Sequence, residues 1–274
     1  MTAHAQPAPP ASSAAPSPGR DGALRSWAAL ALLHGRYQFL ETVRVPIAVI
    51  GNLMFPALAM FFFVVPQQAI AQDPVAATAA VAQLGTFAVI SACMFSFGAG
   101  VAEDRALPFD PYLRTLPAGV GPRMAGRVLN GIVWCFLALV PLVLIAALFT
   151  QASLSVGELL GGLGMVPVVA FVFLLLGLAI GYSLSAKSAI AVVQAVLFPL
   201  AFAGGLFMPP QIFPDWLEVA SRALPTRAAR DLVVEVTSGV PAYSFAVLVL
   251  AGWAAIFAAL AVIAYRRDEG RRFH

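Results

Sequence analysis

The dominant pattern of the chain is a set of six long runs that contain no Asp, Glu, Lys or Arg, each 20 to 22 residues long. An α-helix rises about 1.5 Å per residue, so about 20 residues cross the roughly 30 Å apolar core of a bilayer. The runs therefore predict six membrane-spanning helices, at residues 46–66, 81–101, 128–149, 163–184, 189–208 and 244–265.

The runs are apolar on every face, as in LALVPLVLIAALF at 137–149. The strands of a membrane barrel would instead alternate in polarity over about ten residues. With 61% hydrophobic and 11% charged residues among 274, the chain has little sequence left for a second folded domain. We therefore predict an all-α integral membrane protein whose six-helix transmembrane domain covers residues 46–265.

The basic residues are distributed unevenly between the segments that separate the runs. Thirteen of the 16 lie in the first, third, fifth and seventh segments, and only Arg222, Arg227 and Arg230 lie in the others. This bias predicts that both termini and the loops 102–127 and 185–188 are cytoplasmic. The net charge of +3 is thereby explained by topology and needs no nucleic-acid partner. One Lys among the 16, with abundant Ala, is typical of a GC-rich bacterial genome, and the expected location is the bacterial plasma membrane.

Three segments flank the transmembrane domain. Residues 1–23 are rich in Ala, Pro and Ser and are predicted to be a disordered tail. Residues 24–45 mix Trp27, Leu30 and Tyr37 with arginines, which predicts an amphipathic helix on the inner leaflet. An ordinary cytoplasmic extension is the alternative for this segment. Residues 266–274 are predicted to be a basic cytoplasmic tail.

The cytoplasmic loop 102–127 contains a predicted short helix at 111–116. Asp110 can cap it, Pro111 suits its first turn and Pro117 ends it. Tyr112, Leu113 and Leu116 would then be presented beside Arg114. Aromatic residues and Arg are favoured at protein interfaces, so this group of side chains is a candidate docking surface. A solvated turn between two spans is the alternative.

The last external loop, 209–243, is too long for a simple connector. Pro209 opens it, Pro225 interrupts it, and Phe213 and Trp216 suit the outer interface. We expect two short helices that dip into or lie on the outer leaflet.

Residues that would supply catalysis or an energy source are not evident in the sequence. The segment 181–188, GYSLSAKS, departs from a phosphate-binding loop because Ala186 replaces the second glycine, and it lies in a predicted turn between spans. The six runs hold no ionisable Asp, Glu, His or Arg, and the three histidines lie outside them. We therefore expect neither an enzyme nor a metal site. Cys93 and Cys135 lie inside predicted spans and are expected to stay reduced.

Uncharged polar residues do occur within the runs. Asn52, Ser91, Ser96 and Gln194 are candidates to line a substrate path, although hydrogen bonds between helices are the alternative role. Gly177 and Gly181 predict a close helix contact. Pro199, followed by Gly204 and Gly205, predicts that the fifth span is broken or short.

Three features together resemble the membrane subunits of type-2 ABC exporters. They are the six spans with cytoplasmic termini, the cytoplasmic stretch from Glu103-Asp104-Arg105 to Tyr112-Leu-Arg-Thr-Leu-Pro117, and Gly204-Gly-Leu-Phe-Met-Pro209 followed by Phe213-Pro-Asp-Trp-Leu217. Ala223-Leu-Pro-Thr226 leading to Arg230 is similar to the family's stretch before the last span. The resemblance covers about residues 25 to 267. The chain differs from many members in having Glu-Asp-Arg-Ala where they carry a Glu-Arg-Glu type run.

The resemblance implies a permease that pairs with a second permease, as a homodimer or heterodimer, and with a separate cytoplasmic ABC ATPase that binds ATP and Mg. Residues 103–117 match the family's coupling segment, so the helix at 111–116 is expected to dock on the ATPase. Glu103 and Arg105 would then stabilise its junction with the second span. A hydrophobic drug-like or lipid substrate is expected to move outward. The alternatives are a membrane scaffold that recruits a partner without transport and, less favoured, a gradient-driven transporter.

Overall fold

The computed structural model describes residues 20–44, 46–108 and 121–272, and every regular element in those ranges is a helix. The α-helices are α1 (Arg20–Val43), α2 (Pro46–Ala59), α3 (Gln68–Ala71), α4 (Pro74–Cys93), α5 (Gly100–Ala106), α6 (Gly121–Phe149), α7 (Val156–Ser183), α8 (Ala186–Ala203), α9 (Asp215–Ser221), α10 (Pro225–Ser238) and α11 (Ala246–Arg272).

Five helices are long and apolar enough to cross a membrane by length and composition. They are Pro74–Ala106, Gly121–Phe149, Val156–Ser183, Ala186–Ala203 and Ala246–Glu269. The first predicted run is also helical, from Pro46 through a π-helical segment at Met60–Val64, but only Leu53–Val64 is found there as a shorter apolar helix. The all-α membrane class is confirmed, while a count of six spans stays a prediction.

The second span is longer than its charge-free run. Asp73 caps α4 by accepting hydrogen bonds from the amides of Val75 and Ala76 at 2.9 and 3.0 Å, and Pro74 occupies the first turn. The helix then continues through a π-helical segment, Met94–Ala99, into α5. Its 33 residues correspond to about 50 Å, which exceeds the thickness of the apolar core.

The π-helical segment packs closely against both α7 and α8. A Cβ on Gly181 would lie 2.5 Å from the carbonyl oxygen of Phe97, and one on Gly177 would lie 2.9 Å from the Cβ of Phe97. A Cβ on Gly98 would lie 2.6 Å from the side chain of Val193. The close contact predicted at Gly177 and Gly181 is confirmed, because only glycines leave room for these backbones to meet.

The fifth predicted span ends earlier than its apolar run. Helix α8 contains Pro199 and stops at Ala203, and Gly205 takes a left-handed conformation with φ of 78°. The predicted end at residue 208 is wrong, because Gly204 and Gly205 turn the chain, while the prediction of a short fifth span is confirmed. At the other end of the chain, α11 continues to Arg272, so residues 266–272 of the predicted tail extend the last helix.

The predicted interfacial segment forms α1, which packs along α6. A Cβ on Gly126 of α6 would lie 2.6 Å from the carbonyl oxygen of Ala31, and the rings of Phe39 and Trp134 stack at 5.4 Å. The segment is helical, but the helix begins at Arg20, inside the stretch 1–23 that was predicted to be a disordered tail. The helix belongs to the bundle, although its position relative to a leaflet stays a prediction.

Two short helices, α9 and α10, follow α8 as expected for the last external loop. Helix α10 packs against α4, α7 and α11, and Ala228 and Ala229 are fully buried in the main core. The largest fully buried side chains of that core include Phe87, Phe97, Phe173 and Leu197. Helix α10 is therefore part of the helical bundle rather than a loop on its surface.

Candidate coupling end and outer cluster

The coupling end is defined here as the end of the bundle formed by residues 100–108, 121–127, 181–188 and 264–272. Helix α5 reaches it as the last part of the second span, and the predicted docking helix follows α5 in the sequence. Asp110, Tyr112, Leu113, Arg114 and Leu116 of that predicted helix lie outside the described residues. The coupling end is therefore described from the residues on either side of them.

Arg105 connects three parts of the chain at the coupling end. Its Nη1 donates hydrogen bonds to the carbonyl oxygens of Gly181 at 2.6 Å and Leu184 at 3.1 Å, and its Nη2 forms an ion pair with Asp268. The guanidinium also lies 5.8 Å from the centroid of the Tyr182 ring. One side chain thus fixes the end of α5 to the turn between α7 and α8 and to α11.

Asp104 makes a second connection on the other side of α5. It forms an ion pair with Arg127 of α6, and Arg127 also donates a hydrogen bond of 3.1 Å to the carbonyl oxygen of Ser96. Arginine suits this position because its planar head can bind two acceptors at once. The second span is therefore held at its end to α6 as well as to α7 and α11.

Glu103 differs from its two neighbours because its side chain is exposed and lines a cavity. The cavity has a volume of about 480 Å³ and lies between α1, the second span and α6. Ser96 also lines it, which places one of the predicted polar path residues beside the coupling end.

The other predicted path residues do not join Ser96 there. Ser91 is half-buried, Gln194 is exposed on α8, and neither lines this cavity. The side chain of Asn52 lies outside the described part of the structure. Ser91 and Gln194 therefore do not share this cavity with Ser96, and the substrate path stays a prediction.

The residues predicted for the external segment occupy different environments. Pro225 is buried in the first turn of α10, and Pro209 lines an outer cavity of about 510 Å³. Phe213 is half-buried, whereas 71% of the Trp216 surface is exposed, as expected for a ring at a membrane interface. A re-entrant position relative to the membrane stays a prediction.

Sequence reasoning missed a buried cluster of charges on α10. The carboxylate of Asp231 accepts hydrogen bonds from Arg227 and Arg230, each at 2.7 Å, and all three side chains are buried. Arg230 also donates to the side-chain oxygen of Gln83 at 3.1 Å, and Arg227 donates to Ser221 at 2.9 Å. We call these five residues the outer cluster.

Burial lowers the pKa of the Arg230 guanidinium, and the hydrogen bond and charge of Asp231 oppose that shift. Arg230 and Asp231 lie three and four residues after Arg227, and residues with this spacing share one face of a helix. This spacing was the available sequence signal for the cluster. In the sequence analysis Arg227 and Arg230 served only to place the loop 209–243 on the external side.

Two further hydrogen bonds join α10 and the turn before it to neighbouring helices at the outer end. The hydroxyl of Thr226 donates to the carbonyl oxygen of Leu200 at 2.7 Å, against Gly204, so the start of α10 fits into the end of α8. Trp253 of α11 donates to the carbonyl oxygen of Ala223 at 2.8 Å. The carbonyl oxygen of Leu200 also accepts a hydrogen bond of 2.9 Å from the amide of Gly204, so the Thr226 hydroxyl is its second donor. Together the two side-chain bonds hold α10 to α8 and the turn before α10 to α11.

The segment 181–188, which partly matches a phosphate-binding loop in sequence, lies at the turn between α7 and α8. Gly181 lies in the last turn of α7, and Lys187 lies in the first turn of α8. Ser185 caps α8 and accepts a hydrogen bond of 3.4 Å from the amide of Ser188. The segment is a helix-to-helix turn rather than a loop that follows a strand.

The fold and the comparison with known families both indicate a helical membrane protein. The family model for the ABC-2 type transporter matches residues 32–237, which is most of the chain. The match includes the second span, the outer cluster and every part of the coupling end except residues 264–272. No curated protein matches the chain in the corresponding comparison. The protein is a multi-pass membrane protein with a transport permease role. The chain therefore belongs to the ABC-2 type transporter family.

Proposed function

We propose that this chain is the transmembrane permease subunit of an ATP-driven exporter in a bacterial plasma membrane. A separate ABC ATPase binds ATP and Mg, and two permeases, either identical or different, form the membrane part. The observation that carries this proposal is the family match over residues 32–237 of a chain with apolar membrane-length helices.

The contacts of Arg105 support a role of the coupling end in transmitting motion. A docked helix at 111–116 would follow α5 directly along the chain. Because Arg105 binds α5 to Asp268 and to the carbonyl groups of Gly181 and Leu184, a displacement of that helix would move three spans together. ATP binding can bias the transporter only if the two states differ in their contacts. In this proposal the docking contact with the ATPase supplies that difference, and the rigid junction transmits it to the spans.

A hydrophobic drug-like or lipid substrate fits the surfaces of the bundle. A groove of about 640 Å³ between α7, α10 and α11 is lined mainly by apolar side chains, including Phe171, Leu232 and Leu250. Strongly charged solutes would lose hydration there without compensation. We propose outward movement of such a substrate along the interface between two permeases.

The first test is to purify the full chain from its native membranes by gentle extraction and to identify the proteins that accompany it. We expect an ATPase with a phosphate-binding loop at near one-to-one stoichiometry, measured by native mass spectrometry. If a different cytoplasmic protein is bound and no ATPase is found, the proposal fails and the chain acts as a scaffold.

The docking helix is tested by Leu113→Asp and Leu116→Asp in the reconstituted complex. Each change puts a charge into an apolar contact, so we expect loss of ATPase binding or of substrate-stimulated hydrolysis. Val156→Asp is the matched control, because Val156 is 75% exposed at the opposite end of the bundle. Full coupled export by both Leu variants would refute the docking assignment.

A further inference from the structure

Gln194 of α8 is a polar side chain in the middle of a membrane-length helix. Helix α8 runs from Ala186 to Ala203, so Gln194 lies eight residues after its start and nine before its end. At about 1.5 Å per residue, the amide is about 12 to 14 Å from either end, which corresponds to the middle of the apolar core of a bilayer. The side chain is exposed and makes no hydrogen bond within the described ranges.

The exposed faces of the other long helices differ from this face of α8. Their exposed side chains near mid-span are apolar, as with Val140 of α6, Phe171 of α7 and Ile256 of α11. Among the five described spans, Gln194 is the only exposed side chain near mid-span that has a hydrogen-bonding group. Apolar faces suit lipid tails, whereas an unpaired amide in hydrocarbon is costly. A partner with polar groups therefore covers this face of α8.

The residues around Gln194 allow such a partner to approach closely. Ala191 and Ala195 are exposed beside it, and Ile190 is exposed about one turn earlier on the same face. Small residues permit close contact between membrane helices, and an amide among them can form a hydrogen bond across the contact. We call Ile190, Ala191, Gln194 and Ala195 the α8 face.

The chemistry of the amide selects the kind of partner. A glutamine side chain donates through Nε2 and accepts through Oε1, so another amide at the same depth complements it fully. Copies of one chain insert in the same orientation, so a two-fold axis along the membrane normal brings Gln194 of a second copy to the same depth. A partner with a different sequence is under no such constraint.

We propose that the α8 face packs against the same face of a second copy of this chain, with reciprocal hydrogen bonds between the two Gln194 amides. The membrane part of the transporter is then a homodimer in which α8 of each copy lies at the two-fold axis. The inference deepens the proposed function, since it identifies the second permease. Only the role of this dimer in export rests on the proposed function.

Cysteine cross-linking of the full chain in its native membranes tests which face lies at the interface. Gln194→Cys is oxidised with copper phenanthroline in the native background, where Cys93 and Cys135 are buried. A disulfide needs Cα atoms within about 7 Å, so it forms between copies only where two faces touch. Val140→Cys and Ile256→Cys are matched controls, because each replaces an exposed side chain near the middle of another span. We expect a dimer from Gln194→Cys and at least about tenfold less from either control or from the native chain.

The hydrogen bond itself is tested by energy transfer between labelled copies of the full chain in phosphatidylcholine vesicles. Gln194→Leu should weaken the dimer by about tenfold, because it removes two reciprocal hydrogen bonds within the membrane. Gln194→Asn changes the shape of the face but keeps a self-complementary amide, so it should lose much less. Equal association of the two variants would overturn the amide pairing.

Other occupants of the α8 face give different results. Absence of the Gln194→Cys dimer, or an equal yield from a control, would overturn the proposal. A cross-link from Gln194→Cys to a different polypeptide identifies a heterodimer and also overturns it. Full labelling of Gln194→Cys by a membrane-impermeant maleimide, without a cross-link, identifies a water-lined path and has the same consequence.

The interface and the proposed function can fail separately. A Gln194→Cys dimer in membranes from which no ATPase copurifies supports the interface and contradicts the proposed function. Coupled export by a complex that shows no such cross-link supports the function and overturns the interface.

Discussion

Three charged side chains are buried together at the outer end of the bundle. Asp231 bridges Arg227 and Arg230, and all three are at most 7% exposed. Removal of water from charged groups is costly, so such a cluster is stable only while its charges stay paired. Asp231 is therefore the residue on which the outer cluster depends.

Replacement of Asp231 by Leu should be strongly destabilising, because it leaves two buried guanidinium groups without their shared carboxylate. We expect a loss of about 3–5 kcal/mol, measured as a lowered thermal midpoint of the purified chain in detergent. Asp215→Asn on exposed α9 is the control and should cost much less. Similar midpoints for the two variants would show that the cluster contributes little.

Tyr243 provides a pH test at the same end. Its hydroxyl donates to the carbonyl oxygen of Arg222 at 2.7 Å, and burial, aided by the charge of Asp231, raises its pKa to about 12. A raised pKa favours the neutral phenol, so its stabilisation is complete below the ordinary pKa of 10 and is lost as the pH rises through about 12. We expect the thermal midpoint of the native chain to fall more between pH 10 and 12 than that of Tyr243→Phe. Parallel falls would contradict this assignment.

At the scale of elements, glycines determine how the spans approach one another. Gly177 and Gly181 of α7 face the π-helical segment of the second span, and Gly126 of α6 faces α1. Spacing in the sequence predicted the first contact, since small residues four apart lie on one face of a helix. The π-helical segment itself has no comparable sequence signal, and it aligns Gly98 with α8.

Substitution of Gly181 by Ala should separate α7 from the second span, because the new Cβ would lie 2.5 Å from the carbonyl oxygen of Phe97. We expect a destabilisation of about 1–3 kcal/mol, seen as a lower thermal midpoint. Gly164→Ala on the same helix is the matched control, since its Cβ would meet nothing within 4 Å. That change should be neutral or stabilising, because alanine favours helix over glycine. A Gly181 variant as stable as the Gly164 variant would refute the tight crossing.

At the scale of the whole molecule, the coupling end joins segments that are far apart in the chain. Arg105 and Asp268 are separated by 163 positions, and Arg105 and Gly181 by 76. The second span, the turn between α7 and α8 and the last helix are therefore one mechanical unit at this end. The sequence suggested a role for Arg105 in the junction but gave no indication of Asp268.

Asp268→Asn should weaken coupling more than assembly. The substitution removes the charge opposite Arg105 but leaves the bonds from Arg105 to Gly181 and Leu184. In a complex reconstituted with its ATPase, we expect ATPase binding to be retained and export per ATP hydrolysed to fall severalfold. Arg266→Gln is the control, because Arg266 is an exposed charge on the same helix. An unchanged export-to-hydrolysis ratio for Asp268→Asn would show that the ion pair is only structural.

The sequence by itself determined the class of the protein, most of its helices and the short fifth span. Those features follow from local causes: apolar runs long enough for a bilayer, Asp73 and Ser155 as caps, and Pro199 with two glycines as a stop. Tertiary structure alone decided that α1 packs on α6, that the outer charges are buried, and that Gln38, Asn130 and Trp134 surround one cavity. These features depend on contacts between residues distant in the chain, which leave no periodic signal in the sequence. Both candidate sites were therefore only partly predictable, because their electrostatics depend on which helices meet.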